Sequence, residues 1–299
     1  MKRLNDTYQI AIIVFLVLIA FGGAFWNSYS LDDEFVTTSS NEKVAQGLDG
    51  LKEIFTTPYI EKSVDNNAYE YRPITMAFFA IEKSVVGFNP GISHLVNLVL
   101  YIGVILLIFK ILWTLFPQEY HAAIFFIVLL FAVHPLHSEV VLSLKNREEL
   151  LVSLLGFGAL MLAIKYSREQ KIILGVFALL LMVLGVFVKS TITPFVLVIP
   201  ATLYFFKLLP AKKSIIFFLL AIASMGLASA VPRLIFDIPV NREISFVESP
   251  LLHLPFQNRL PMAFYAFLYY LKLHIVPYPL LSYYGYNHVS LLSWPDYQL

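Results

Sequence analysis

"LLFAVHPLHSEVVLSLKNREELLVSLLGFGALMLAIKY", residues 129–166, sets apolar runs on either side of two polar stretches, "HPLHSE" and "KNREE". Leu150 to Ile164 carries no charge, and the run that ends at Val133 is apolar back to Ala122. Apolar runs approaching twenty residues cross about 30 Å of hydrocarbon as helix. The ionised residues between the two runs therefore belong at a membrane surface. Pro135 and the polar residues after it end one spanning helix, and the next starts beyond "KNREE".

The same alternation runs along the chain. Hydrophobic residues make up 59% of it and charged residues 14%, against about a quarter charged in soluble domains. The sequence predicts an all-α, polytopic membrane protein with about eight spanning helices, over roughly 8–27, 93–116, 120–134, 149–166, 171–188, 191–208, 213–231 and 261–277. It reads as a single transmembrane domain over residues 1–299. The formal net charge of +1 gives no reason to expect a nucleic-acid partner. Without cysteine, disulfides and thiolate metal sites are excluded. Tyr8–Trp26 is too long for a signal-peptide core and reads as a retained helix. Lys2 and Arg3, the group Lys165, Arg168 and Lys171, and the group Lys207, Lys212 and Lys213 fall on one side by this count. Basic short loops mark the cytoplasm. The longer segments 28–92 and 232–260 then face the exoplasm, the periplasm if the membrane is a bacterial inner membrane.

Two surface helices are expected in the first exoplasmic loop. "SNEKVAQGLDGLKEIF" places Val44, Leu48, Leu51 and Phe55 at helical spacing, with Ser39 and Glu42 spaced as a capping box. "RPITMAFFAIEKSVVGF" has Pro73 at a first-turn position. The "DNNAY" between them reads as a turn. Both helices look suited to lie on the membrane surface.

The uncommon polar residues collect on that same side. Asp32, Asp33 and Glu34 follow the first helix, Arg72 opens the second surface helix, and His94 and Asn97 start the next span. The polar stretches add His134, His137, Glu139, Lys145, Arg147, Glu148 and Glu149, Lys189 follows the fifth span, and Arg233, Arg242 and Arg259 lie in or near the last long loop. A carboxylate can serve as general base towards an acceptor hydroxyl, best when a like charge or partial desolvation raises its pKa. Adjacent Asp32 and Asp33 supply the like charge; the competing reading is a hydrated loop. His134, His137 and Glu139 offer metal-ligand chemistry, but their spacing departs from HExxH. Interfacial histidines bonded to backbone, or contacts to a sugar or phosphate, are the other readings, and no cofactor is favoured. Lys189 can snorkel to the interface or bind a lipid phosphate as a point charge. Arg72 and Arg147 can clamp a phosphate or pair with nearby acids.

Six blocks in order carry a resemblance: "LDDEF", "YRPIT", "FNPGISHLVNLVLY", "LLFAVHPLHSEVVLSLKNREELL", "VFVKSTITPFVLVIPATLYFF" and "ESPLLHLPFQNRLPMAFYAFLYYLKLHIVPYPL". Together they resemble the membrane-embedded glycosyltransferases of the GT-C superfamily. The closest likeness is to the branch of transmembrane O-mannosyltransferases with tetratricopeptide repeats and its bacterial relatives. The resemblance implies inverting transfer of a sugar from a polyprenyl-phosphate donor to an acceptor hydroxyl on the exoplasmic face, the acceptor being a protein, a glycan or a lipid. It implies a catalytic acidic pair at Asp32 and Asp33. Lys189, Arg147 and Arg72 are implied to stabilise the leaving phosphate, and His134, His137 and Glu139 to shape the pocket floor. Such proteins usually continue into further spans and repeats. This chain shows no repeat of that length, and it reads as a short form, a fragment, or a chain completed by a membrane partner. A non-catalytic relative that binds polyprenyl lipid or scaffolds a partner is the alternative.

Overall fold

The computed structural model describes residues 2–37, 41–59, 70–236, 250–253 and 255–281. All regular structure among them is helical. The chain forms two compact units. The first unit, Met1–His134 with Val140–Val240, contains α1 (Lys2–Phe21), α2 (Pro73–Val86), α3 (Pro90–Leu115), α4 (His121–Ala132), α5 (Arg147–Glu169), α6 (Ile172–Val186), α7 (Phe195–Phe205) and α8 (Ala211–Phe236). The second unit, Pro135–Glu139 with Asn241–Leu299, contains α9 (Phe256–Ile275).

Four stretches are long and apolar enough to cross a membrane: Thr7–Trp26, α3, α5 and α8. They make the chain an integral membrane protein. The expected count of about eight spans is not supported. The run at 120–134 joins Pro135–Leu142 as a broken pair, a fifth span only if the two act as one. Helix α6 has 15 residues, about 22 Å at 1.5 Å per residue, short of the hydrocarbon thickness. The run at 191–208 folds as the short apolar helix Ser190–Phe205. The last expected span, 261–277, overlaps most of α9, where Gln257, Arg259, Lys272 and His274 dilute the apolar residues.

Two apolar cores hold the first unit together. Ile13, Val17 and Phe21 of α1 meet Leu98, Tyr101 and Ile105 of α3 and Ile124 and Val128 of α4. The Tyr101 hydroxyl donates to the Ala132 carbonyl at 2.8 Å, so its polar atom is satisfied inside this core. The other core gathers Ala159, Ala163 and Ile164 of α5 with Ala178 and Met182 of α6, Ile199 and Leu203 of α7, and Phe217 and Ala221 of α8. Small residues let these helices approach closely, as packing in lipid requires. A Cβ on Gly156 of α5 would fall 2.3 Å from the Phe195 ring of α7.

A third, smaller core lies outside the spans. Val36, Val44, Ile54, Tyr59, Met76, Ala77, Phe79 and Ala80 enclose Leu144. The first expected surface helix is broken into Glu42–Ala45, a 3-10 turn at Gly47–Gly50, and Leu51–Thr56. The reason is local: Gly47 takes φ +64, and Gly50 packs so close to the Lys43 carbonyl that a Cβ would lie 2.1 Å from it. The cap of the first piece is Asn41, whose side chain accepts from the Val44 amide. Ser39, the "DNNAY" turn and Arg242 lie outside the described residues. Helix α2 forms as expected, with Pro73 in its first turn and Gly87 at φ +71 ending it. It docks on the α6–α7 connection: the Ile74 amide donates to the Phe187 carbonyl at 3.2 Å, and the Thr75 hydroxyl to the Val188 carbonyl at 3.1 Å.

Replacing Gly156 by Ala is expected to destabilise the chain by about 1–3 kcal/mol, the range for overpacking. Gly103→Ala, where the nearest atom lies at 3.7 Å, is expected to leave stability unchanged or raised. Thermal unfolding of both variants in detergent checks the contrast.

Candidate active site

The segment 143–149, "SLKNREE", enters α5 and its charged side chains reach partners on α2, α3, the turn after α1 and the α6–α7 connection. Leu144 is fully buried in the small outer core, while Leu150 and Leu151, just beyond the segment, enter the two cores of the helical bundle. Its charged groups then have fixed origins, and Lys145, Arg147, Glu148 and Glu149 each find a partner far away in sequence.

Arg147 has no exposed side-chain surface. Its Nε donates to Asn97 Oδ1 at 2.7 Å, Nη1 to Glu82 at 2.6 Å and Nη2 to the Ser93 carbonyl at 2.9 Å. The guanidinium stacks over the Phe79 ring at 4.0 Å. Asn97 in turn donates to the Ser143 carbonyl at 3.1 Å, closing the loop on the same segment. The Ser93 hydroxyl donates to Glu82. Arg147 thus joins α2, α3 and α5 and presents no open face for a phosphate.

Glu148 is equally enclosed. Arg72 Nη1 donates to both its oxygens, at 2.8 and 2.6 Å, and Lys189 Nζ donates to Oε1. Arg72 also pairs with Glu70 at 2.7 Å and lies 5.1 Å from the centre of the Tyr59 ring. Burial works against the Arg72 charge, yet Glu148 and Glu70 outweigh it and hold its pKa above the ordinary value. Burial, reinforced by Glu148, pushes the Tyr59 phenol well above its usual range. Lys189 reaches Glu149 as well, at 2.8 Å, and the Thr191 hydroxyl donates to the other Glu149 oxygen at 2.9 Å.

The acidic pair divides. Asp33 is buried, and its carboxylate accepts from the Lys145 amide at 3.0 Å and the Ser30 amide at 3.2 Å. The Thr37 hydroxyl donates to its carbonyl. Asp33 ties the turn after α1 to the start of α5. Asp32 faces outward with 57% of its side chain exposed and pairs with Lys145 Nζ at 2.8 Å. The charge of Asp32 is still felt at Tyr59, beside Arg72 and Glu148, and that of Asp33 at Tyr29 and His94, beside Arg147.

Asp32 and Asp33 meet Lys145, Arg72 and Lys189 meet Glu148, and Arg147 meets Glu82 and Asn97, so the segment 143–149 carries one member of each of three charged groups. His134 belongs to the first unit and is half-buried. His137 and Glu139 belong to the second. Among the described residues no three histidine, aspartate or glutamate side chains converge to hold a metal ion. Lys145, Glu148, Glu149, Glu82 and Asn97 have larger parts in these groups than the sequence reading assigns them. The available signal was the run of charges at the mouth of an apolar span, where unpaired charge is costly. Apart from Ser93 beside Glu82, their side-chain partners lie 40 to 113 residues away, which no spacing rule reaches.

Comparison with known proteins finds distant relatives of the chain. The chain is 28% identical over 179 residues to the protein O-mannosyl-transferase F38B6.6 of Caenorhabditis elegans, covering 56% of this chain and 24% of that protein. It is 29% identical over 184 residues to the human protein O-mannosyl-transferase TMTC1, covering 60% of this chain and 19% of that one. For human protein O-mannosyl-transferase TMTC3 the figures are 28% over 164 residues, with 54% and 17% covered. The chain thus matches about a quarter or less of the length of these relatives. No family model matches it, and no solved structure does.

Glu148→Gln leaves Arg72 and Lys189 without their shared anion and is expected to cost about 3–5 kcal/mol, as for one partner of a buried pair. Lys145→Gln, which loses only a partly exposed pair, is expected to cost less than about 1 kcal/mol. Thermal unfolding of the detergent-solubilised variants measures both.

Proposed function

We propose that this chain is the membrane-embedded catalytic part of a glycosyltransferase that moves a sugar from a polyprenyl-phosphate donor to an acceptor hydroxyl. The observation that carries the reading is Asp32, an outward-facing carboxylate paired with Lys145, on the segment that also bears Glu148, the shared partner of Lys189 and Arg72. The names of the relatives support mannose as the sugar and a protein hydroxyl as the acceptor; a glycan or lipid acceptor fits the same chemistry.

In this reading the acceptor oxygen bonds to the anomeric carbon as the bond from that carbon to the phosphate oxygen breaks. The hydroxyl proton passes to Asp32, and polyprenyl phosphate departs with the bonding electrons. Attack opposite the leaving group inverts the anomeric centre. Asp33 acts as a positioning residue, because its oxygens are engaged by two backbone amides. Lys189, with 20% of its side chain exposed, and Arg72, with 13%, are the cations that face the developing phosphate charge. Arg147 is reassigned from phosphate clamp to internal brace, since its three donor nitrogens are engaged within the fold. His134, in the same unit, remains a candidate contact for the sugar. No metal is invoked.

The cluster lies at the N-terminal end of α5, and Lys165 and Arg168 lie at the other end of the same helix. Basic residues favour the cytoplasm, which supports an exoplasmic site, periplasmic in a bacterial inner membrane. A second reading, a chain that binds polyprenyl lipid or scaffolds a membrane partner without catalysis, is favoured by one observation. Arg72, Lys145, Arg147 and Lys189 each already have a carboxylate partner.

Asp32→Asn is expected to lower glycan transfer in membranes by about a hundredfold or more, the range for loss of a general base, with thermal stability unchanged. Asp33→Asn is expected to lower stability as well as transfer, because an amide NH2 then faces a backbone donor. Undiminished transfer in Asp32→Asn overturns the assignment. Absence of transfer by the unaltered chain, with polyprenyl phosphate still bound, favours the second reading.

A further inference from the structure

We infer that the edge of Arg72 that holds Glu70, together with the Tyr59 hydroxyl, is the phosphate-binding position of this site, and that Glu70 is a placeholder which a lipid-linked phosphate displaces. The inference rests on the glycosyl-transfer reading and gives the leaving phosphate its seat.

Arg72 binds two carboxylates through different nitrogens. Nη1 donates to both oxygens of Glu148, which is fully enclosed and shared with Lys189. Nη2 pairs with Glu70 at 2.7 Å. The two pairs differ in what it costs to part them. Taking Arg72 from Glu148 deprives a buried charge of a partner. Glu70 has 34% of its side chain exposed, and among the described residues its carboxylate has no partner besides Arg72. Water can solvate Glu70 on release while Glu148 keeps Arg72 in place, so the exchange costs about what a partly exposed ion pair contributes. A phosphate arriving at Nη2 replaces one anion by another, and the balance of charge around Glu148 is kept. The guanidinium edge suits phosphate oxygens.

Two features mark this edge as built for a ligand. The first is Tyr59, which is 6% exposed and whose ring centre lies 5.1 Å from the Arg72 guanidinium carbon. Among the described residues its hydroxyl has no hydrogen-bond partner. Buried hydroxyls are nearly always bonded, because an unpaired one bears the full cost of desolvation. Tyr101 shows the usual outcome, donating to the Ala132 carbonyl. The charges of Glu148, Arg72 and Glu70 all act on the Tyr59 oxygen, and burial keeps it protonated, so it is a donor with nothing to donate to. The second feature is the Glu70 backbone, at φ +64. Residues other than glycine and asparagine seldom take that left-handed region. Glu70 is held there twice: its carbonyl accepts from the Tyr59 amide at 2.8 Å, and its carboxylate pairs with Arg72. Backbone held in such regions concentrates at ligand clamps. One residue thus clips Tyr59 through its backbone and occupies Arg72 through its side chain.

The test is binding of polyprenyl phosphate to the full chain in phosphatidylcholine nanodiscs, with the matching polyprenol and inorganic phosphate as comparison ligands, beside thermal unfolding of each variant without ligand. Glu70→Gln removes the charge of the placeholder and is expected to tighten polyprenyl phosphate binding roughly two- to fivefold, the equivalent of one partly exposed ion pair. Tyr59→Phe is expected to weaken it about tenfold or more, as loss of a hydrogen bond to a charged group does. The ligand-free unfolding temperature of Tyr59→Phe is expected to hold or rise, because the hydroxyl it removes has no partner. Glu42→Gln removes an exposed carboxylate elsewhere in the outer loop and is expected to leave binding unchanged. Lower ligand-free stability of Tyr59→Phe with unchanged binding makes the hydroxyl structural and overturns its place in the site. Equal tightening by Glu42→Gln and Glu70→Gln reports bulk charge and overturns the placeholder. Binding that neither Glu70→Gln nor Tyr59→Phe alters overturns this inference while the glycosyl-transfer reading stands. Equal affinity for inorganic phosphate overturns the lipid-linked ligand, and no binding of polyprenyl phosphate by the unaltered chain overturns both readings together.

Discussion

A buried carboxylate needs partners, and Glu148 sets the terms for the rest of this structure. With no side-chain surface open to water, it is held by Arg72 from the outer loop and by Lys189 from the α6–α7 connection. An unpaired charge in that position is expensive enough to decide between folds. The pairing therefore joins the start of α5, the base of α2 and the end of α6 into one structure. The small outer core over Leu144 and the docking of α2 on the Phe187 and Val188 carbonyls satisfy apolar and backbone groups at the same place.

Around that fixed point the charged residues sort by depth. Arg147 and Glu148 are enclosed and brace the helices. Asp33 lies one step out, saturated by backbone amides. Asp32, Glu70, Lys145, Glu149 and, less fully, Lys189 are the members that water reaches. Chemistry needs groups that solvent and substrate can reach, and the outer members are placed nearest to both. The inner members supply what the outer ones lack, a rigid origin for each side chain.

Much of the candidate site was legible as composition and order. The acids after α1, Arg72 before α2, the "KNREE" run and Lys189 all stood out as charges at the mouths of apolar runs. Their roles were less legible. Asp32 and Asp33 are adjacent in sequence and identical in chemistry, yet one is buried and one exposed. The difference comes from the 3-10 turn Leu31–Asp33, which aims the second carboxylate back at the amides of Ser30 and Lys145. The arginine in "KNREE" looked like a phosphate ligand because guanidinium suits phosphate. Its actual partners, Asn97, Glu82 and the Ser93 carbonyl, come from two other helices.

The span count shows the same division. Apolar length alone marked Thr7–Trp26, α3, α5 and α8 as membrane-crossing. It overcounted where a break at Pro135 or the shortness of α6 changes what a helix can cover. By itself the sequence determined a helical membrane chain with its charges gathered at the ends of its spans, because hydrocarbon admits little else. Only the tertiary structure decided which charge pairs with which, since ion pairs form across distances of tens of residues and depend on how helices pack. That packing separates the acid that holds the turn from the acid that is open to water.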